Sequence, residues 1–418
     1  MRPLKIALLS RWYWEETRRA PEEGGMVRQV AEAVAALGHE VVVLSQSPQT
    51  SAPLESTRIG SLEVWLAPRD RKRDFLTGLR DKWAKQTYRH RKVHTDALAL
   101  LDFLARRGPF DVLWAHAEEP DGLVAAIAAQ HGVALPPTLT QIHSLRYRFQ
   151  EGTVDFAEKP ALGLAFHQAT RIIANSELVA QSLVHYAGPA RSAAQLAAKT
   201  RVVFPNLTHN FLRVVEANPT TSPEVPRRVL FLGALNEKKG ALVFLQALLK
   251  TGAISSDVTF AVAGGFTEKN PEFARRWEQN LGELRTRLPK NRLELLGKIP
   301  TAEVIRQIQR ATVVVMPSLF DEFSRTLVES LLLRRPVITT DRVGASPLVA
   351  DHACGLVVPA ADAAALANAI DTTLNSDSPF AANAQRFGHR LLHEISPEAI
   401  ALQLAQHLEE TAALHRRP

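Results

Sequence analysis

Three stretches of this chain carry residue types whose spacing could do chemistry. In Pro317 to Leu332 (PSLFDEFSRTLVESLL), a run that ends a buried-strand pattern gives way to an acidic loop and then to a helical pattern. That helix would bury Phe323, Leu327 and Leu331, with Val328 and Leu332 beside them. If Ser324 caps it, the N–H groups of Arg325, Thr326 and Leu327 are free to bind oxygens. Asp321 and Glu329 then flank one helix end and could grip two different hydroxyl-bearing groups. The alternative is a plain cap with a solvated helix carboxylate. In Phe231 to Gly240 (FLGALNEKKG), Gly233 permits close backbone approach and Lys239 stands beside a helix start, where free N–H groups favour a phosphate. An ordinary turn with a surface lysine reads equally well. The spacing is neither a Walker loop nor GxGxxG, so P-loop and dinucleotide readings fail. The third stretch is TQIHS, where His143 closes an apolar run; His116 closes another, DVLWAH, and there a satisfied structural histidine is the stronger reading.

The elements that must position these residues alternate between β-branched runs and segments of helical period, the pattern of parallel βαβ units. Strands are expected at Leu4 to Leu9, Glu40 to Ser45, Val112 to His116, Thr138 to His143 and Arg171 to Ala174. A second series is expected at Val229 to Leu232, Val258 to Ala263, Leu293 to Leu296, Val313 to Met316, Val337 to Thr340 and Gly355 to Val358. Met26 to Leu37 puts Val27, Val30, Val34 and Leu37 on one face, and Gly38 ends that helix. The proline-bearing stretch Asn218 to Arg227 marks the boundary between the two series. We therefore expect an α/β protein with three parts: a domain over 1–210, a second over 211–384, and a helical C-terminal segment over 385–418. Doubly wound sheets bind ligands at the carboxyl ends of their strands. No repeat of 20 to 50 residues is visible, which argues against a solenoid.

Composition narrows the class. Of 418 residues, 46% are hydrophobic and 22% charged, which excludes a disordered chain. Cys354 is the only cysteine, so an internal disulfide is impossible and a cysteine-built metal site is not expected. No apolar run reaches the ~20 residues of a membrane span. Met1 to Ser10 runs directly into strand-like sequence, so no signal peptide and a cytoplasmic location are expected. The net charge of +7 belongs entirely to Arg69 to His94, which holds ten Lys or Arg and three Asp. Within it Phe75, Leu79 and Trp83 recur every fourth residue, the spacing of an amphipathic helix in an anionic interface. A basic helix docked on its own domain is the alternative. No module accompanies the charge that would point to nucleic acid. In the loop Arg11 to Glu23, Trp12 and Trp14 with Tyr13 could stack on sugar rings or pack the loop down, packing being slightly favoured.

Taken in order along the chain, these pieces resemble the retaining GT-B glycosyltransferases of family 4. The second half has Gly233 with Lys239-Gly240, Pro317-Ser318, Asp321 with Glu329, Pro336-Val337, Val343-Gly344 and GLVVP at Gly355 to Pro359. The first half has Gly24-Gly25 before a helix ending in GHEVVVLS, then DVLWAH, TQIHS, ANSELVA and VFPN. The resemblance covers nearly the whole chain. It implies two Rossmann-like domains facing each other across a cleft, with a C-terminal helix crossing back. It also implies transfer of a sugar from a nucleotide donor, guessed to be a UDP-sugar, to a glycan or lipid-linked acceptor in the making of cell-surface polysaccharide or glycolipid.

By the same resemblance Lys239 would neutralise the donor diphosphate, Glu329 would hold the ribose, and Asp321 with the backbone of Phe323, Ser324 and Thr326 would hold the transferred sugar. Gly24, Gly25 and Gly233 would let backbone approach the ligands, and His143 would contact the sugar near the reacting carbon. The acceptor side, on the first domain, would draw on Trp12, Trp14 and His116, with Phe75, Leu79 and Trp83 at a membrane. No metal and no cofactor beyond the nucleotide sugar are expected, and retention would proceed by front-face displacement. The chain departs from the family pattern at Ala234, where an arginine is usual; Arg325 is the expected replacement charge. The competing readings are a GT-B nucleotide-sugar epimerase and a non-catalytic GT-B binding subunit.

Overall fold

The structure, a computed structural model, describes residues 2–11, 13, 25–46, 54–67, 99–117, 121–130, 134–145, 148–150, 153–155, 160–186, 190–217, 227–255, 257–267, 270–289, 291–375 and 377–414. They form two compact units. The first takes in residues 1–146, 156–212 and 395–418; the second takes in 147–155 and 213–394.

The first unit is built on a sheet of β1 (Lys5–Leu9), β2 (Glu40–Gln46), β3 (Glu55–Ile59), β4 (Leu62–Ala67), β5 (Val112–Ala115), β6 (Thr138–Ile142), β9 (Arg171–Ala174) and β10 (Thr200–Val202). Between β6 and β9 the chain makes a two-stranded ribbon, β7 (Arg148–Gln150) with β8 (Thr153–Asp155), which groups with the second unit. The sheet order is β10-β9-β6-β5-β1-β2-β4-β3, parallel throughout except that β3 runs antiparallel to β4. Strands β1, β2 and β5 are buried almost end to end, as a sheet covered on both faces requires. One face is covered by the Met26–Ala36 helix through Val27, Val30, Ala31 and Val34. Gly38 follows that helix at φ 99°, a left-handed exit that glycine makes without strain.

The second unit holds β11 (Arg227–Leu232), β12 (Val258–Ala263), β13 (Leu293–Gly297), β14 (Val313–Met316), β15 (Val337–Thr340) and β16 (Gly355–Val358) in the order β13-β12-β11-β14-β15-β16, all parallel. The order reverses between β11 and β14, so the crevice of a doubly wound sheet opens at the carboxyl ends of those two strands. In the first sheet the same reversal falls between β1 and β5.

The predicted strands are all present, with ends shifted by one or two residues. Strands β3, β4, β7, β8 and β10 went unread. Strand β3 exposes every residue but Ile59, so it lacks the apolar run that marks a buried strand. The run from Gln385 to Arg416, read as one helical stretch, is two helices. Phe380–Glu394 ends before Ser396, and Pro397–Leu414 begins with proline in its first turn and Ser396 Oγ accepting from the Ala399 N–H. The earlier helix packs in the second unit against the helix Arg325–Leu332. The later one packs in the first unit against Met26–Ala36, burying Ile400, Ala401, Leu404 and Leu408. Each leucine or isoleucine buried there contributes about 1.5–3 kcal/mol relative to exposure.

Candidate functional site

At the carboxyl ends of β11, β14 and β15, three loops are laced to one another by backbone. After β11 the chain turns at Gly233, and Asn236 Oδ1 accepts from the Lys239 N–H at 2.8 Å, an Asx turn that fixes the lysine's backbone. Gly240 follows at φ 67°. A Cβ there would stand 1.9 Å from the Pro317 carbonyl oxygen, so the first loop lies backbone to backbone on the second. The Leu319 N–H donates to the Lys238 carbonyl at 2.8 Å. The Asp321 N–H donates to the Arg342 carbonyl at 3.0 Å, and the Asp321 carbonyl accepts from the Gly344 N–H at 2.9 Å, which ties the second loop to the third.

On this frame Lys239 Nζ donates to Asp321 Oδ2 at 2.5 Å, bridging residues 82 positions apart. Beside that pair Lys238 Nζ meets Glu322 Oε2 at 3.3 Å. The side chain of Lys239 stays 30% exposed and that of Asp321 12%, so both atoms sit at a surface that a ligand can reach. At Gly233 an added Cβ would make only ordinary contacts, none nearer than 3.7 Å, so the protein's own packing does not require glycine there.

The helix Arg325–Leu332 begins at the same place. Ser324 occupies the cap position, but at φ 69° and with no side-chain cap bond, which corrects the expectation that its hydroxyl caps this helix. The Ser324 hydroxyl takes none of the first-turn N–H groups, and the Leu327 N–H donates instead to the Ser324 carbonyl at 3.1 Å. The ring of Phe323 is buried and its carbonyl accepts from the Ala345 N–H, whereas Thr326 is half-buried. Glu329 stands one turn in, its side chain 17% exposed, with Arg325 Nη2 3.9 Å from its Oε1. Burial raises the Glu329 carboxyl above the ordinary range, and the Arg325 guanidinium offsets part of that rise. Arg325 itself is 55% exposed.

In the first unit His116 and His143 follow β5 and β6. Their rings lie 4.4 Å apart between centroids, tilted by 31°. The His116 N–H donates to the Leu9 carbonyl at 2.9 Å, and the His143 carbonyl accepts from Asn175 Nδ2 at 2.9 Å. Burial pushes the His143 imidazole down to about 4, and burial together with the adjacent His143 holds His116 well below the usual histidine range. Both rings are therefore neutral at physiological pH. Gly25 is the N-cap of the Met26–Ala36 helix, with extended backbone and no side chain to cover the helix start.

The structure thus brings Gly233, Lys239, Asp321, Phe323, Ser324, Arg325, Thr326 and Glu329 to one end of the second sheet, and His116 with His143 to one end of the first. Gly24, Trp12, Trp14, Phe75, Leu79 and Trp83 lie outside the described residues, as does the whole of 69–94; Tyr13, between the two tryptophans, is fully buried in the first core. Sequence reasoning missed both ion pairs, in which two lysines, 238 and 239, meet two acids, 322 and 321. Among the described residues no group of three or more His, Cys, Asp or Glu could hold a metal ion, and no helix is long and apolar enough to cross a membrane.

Two family models match the chain in tandem. Residues 24–194 match Glycosyltransferase Family 4, and residues 226–376 match Glycosyl transferases group 1. Among curated relatives, alpha-D-kanosaminyltransferase of Streptomyces kanamyceticus is 25% identical over 147 residues, 35% of this chain and 36% of that protein. Phosphatidyl-myo-inositol mannosyltransferase of Mycobacterium leprae (strain TN) is 31% identical over 157 residues, 37% of this chain and 39% of that protein. The chain thus spans under two fifths of the length of these two relatives. Sucrose-phosphate synthase from Thermosynechococcus elongatus superposes with a TM-score of 0.63 at 20% identity, covering 99% of this chain and 100% of that one. At that identity the likeness establishes the GT-B fold.

Proposed function

From a chain that carries a family 4 glycosyltransferase domain followed by a group 1 glycosyltransferase domain on a GT-B fold, we infer a hexosyltransferase that takes its sugar from a nucleotide donor. The observation that carries the reading is the meeting of Lys239 with Asp321 at the reversal point of the second sheet. An ammonium, the start of the helix Arg325–Leu332 and the turn at Gly233 converge where a parallel sheet binds anions, an arrangement that suits a leaving nucleoside diphosphate. In this reading Lys239 neutralises the diphosphate, Arg325 stands in for the arginine replaced by Ala234, and Glu329 takes the ribose hydroxyls. Asp321 and the backbone after it take the transferred sugar, and His143 contacts that sugar as a neutral imidazole.

The reaction breaks the bond between the anomeric carbon and the diphosphate oxygen and forms one to the acceptor hydroxyl oxygen. The hydroxyl proton passes to the departing phosphate, with retention by front-face displacement. The protein supplies position and charge rather than a nucleophile, and the reading requires no metal. A UDP-sugar is the proposed donor and a glycan or lipid-linked sugar the acceptor. One relative bears a name that specifies a lipid acceptor, phosphatidyl-myo-inositol. An enzyme of this kind, acting at the inner face of a membrane, would serve polysaccharide or glycolipid synthesis.

The test is a panel of UDP-, GDP- and ADP-sugars read by thermal shift, followed by turnover with chelator present. A bound donor raises the melting temperature by linkage. Release of nucleoside diphosphate that depends on acceptor supports transfer. Interconversion of the donor without acceptor identifies an epimerase instead, and turnover lost in chelator removes the metal-free mechanism.

A further inference from the structure

The charges around Lys239 cancel. Lys238, Lys239 and Arg325 stand with Glu322, Asp321 and Glu329, three cations with three carboxylates, each cation within 4 Å of an acid. A site that receives a diphosphate would gain affinity from surplus positive charge, and among these six described side chains there is none. Its principal cation is instead held at 2.5 Å by a carboxylate. An anion that takes the Lys239 ammonium must come up beside Asp321, and like charges at that range repel strongly where water is partly excluded. Neither residue can withdraw by moving its backbone. Asp321 is pinned through its N–H to Arg342 and through its carbonyl to Gly344, while Lys239 is pinned to Asn236 and followed by Gly240 packed on Pro317.

We propose that Asp321 makes this site discriminate between an intact nucleotide sugar and the bare nucleoside diphosphate. The inference rests on the reading of Lys239 as the diphosphate ligand. When the intact donor binds, sugar hydroxyls donate to the carboxylate and replace the hydrogen bond it loses as the ammonium turns to phosphate. When only the nucleoside diphosphate is present, no hydroxyl reaches Asp321. The carboxylate then reclaims Lys239 and weakens the hold on the product. Transfer of the sugar removes the group that satisfied Asp321, so completion of the reaction itself loosens the leaving nucleotide.

The test uses the full chain and calorimetric titration with UDP, GDP and ADP and with UDP-glucose, GDP-mannose and ADP-glucose. In the wild type the nucleoside diphosphate must bind more weakly than its sugar nucleotide; equal or tighter binding overturns the proposal with no variant needed. Asp321→Asn should bind the nucleoside diphosphate up to about fivefold tighter, the scale of an ion pair still screened by water on one side. Its affinity for the sugar nucleotide should be unchanged or lower. Asp321→Glu, which keeps the charge, should keep the wild-type preference and serves as the control for folding. Lys239→Met separates the two readings. If it binds nucleoside diphosphate as well as the wild type, the assignment of Lys239 falls and the proposal with it. If Lys239→Met binds weakly while Asp321→Asn binds no tighter than the wild type, only the discrimination by Asp321 is overturned.

Discussion

The carboxyl ends of the two sheets are built from opposite materials. In the second sheet the loops after β11 and β14 meet through compensated ions, with Lys239 on Asp321 and Lys238 on Glu322. In the first sheet the residues after β5 and β6 meet through two mutually tilted imidazoles that burial keeps neutral. Ions held at a partly wet surface can exchange one partner for another at small cost, because water and a ligand oxygen both solvate them. These half-buried imidazoles resist protonation because the charged form would lose hydration. The first arrangement suits recognition of a charged leaving group, and the second suits a contact whose charge must not change.

The comparison can be broken or sharpened by experiment. The largest effect is expected from Lys239→Met, which removes the cation that faces the departing diphosphate. The ratio kcat/KM should fall about 10²–10³-fold, as when one preorganised group at a developing charge is lost. The melting temperature should move little, because the ion pair that goes with it is worth only about 0–1 kcal/mol. Gly240→Ala should instead act on the frame. Its Cβ meets the Pro317 carbonyl at 1.9 Å and its backbone is left-handed, so a loss of about 2 kcal/mol or more in chemical denaturation is expected. A variant as stable as the wild type would show that the loops are not held backbone to backbone.

Glu329→Gln separates binding from stability at a single residue. The carboxylate is buried and its pKa is raised, so its charged form is disfavoured in the fold. Stability that depends on it is full below the ordinary carboxylate value and is lost as pH climbs from there through the raised one. The amide should therefore leave the melting temperature at pH 7.5 unchanged or higher, while donor affinity falls about tenfold with the loss of a charged hydrogen bond.

The histidine pair gives the smallest effect, and one of opposite sign in pH. The folded His143 titrates near 4, below its unfolded value. Between those values the unfolded chain binds protons that the folded one refuses. Stability is then full above about pH 6.5 and is lost as pH falls toward 4. His143→Asn should flatten that slope, and activity should stay level in pH from 6.5 to 8 if the ring acts uncharged.

Much of this was open to reading because buried parallel strands are continuous apolar runs. Val41 to Leu44, Val258 to Ala263 and Val313 to Met316 needed no tertiary information. The order of Gly233, Lys239, Asp321 and Glu329 was readable for the same reason, since each follows such a strand at short range. What could not be read was pairing. That Lys239 donates to Asp321 depends on a close approach of Gly240 to Pro317, which is a matter of backbone shape rather than residue type. The failed cap at Ser324 is of the same kind: serine after a loop favours a cap, yet here its backbone is left-handed at φ 69° and its hydroxyl caps nothing. Edge strand β3 was lost because Glu55, Ser56, Thr57 and Arg58 carry no apolar pattern.

The helix Pro397–Leu414 closes the core that β1 begins, with Ile400, Leu404 and Leu408 against Val30 and Val34, and with Arg171 reaching Glu410 at 3.1 Å. On a ribosome the first unit's residues emerge early, but this face of its core stays uncovered until nearly the entire chain has been made. The second unit, contiguous from Arg213 to Glu394 apart from a short ribbon, has no such wait. Birth order and folding order are therefore reversed. The half that is translated first is the half that must be sheltered longest, and a chain cut before Pro397 would hold a finished second unit tethered to an unfinished first one.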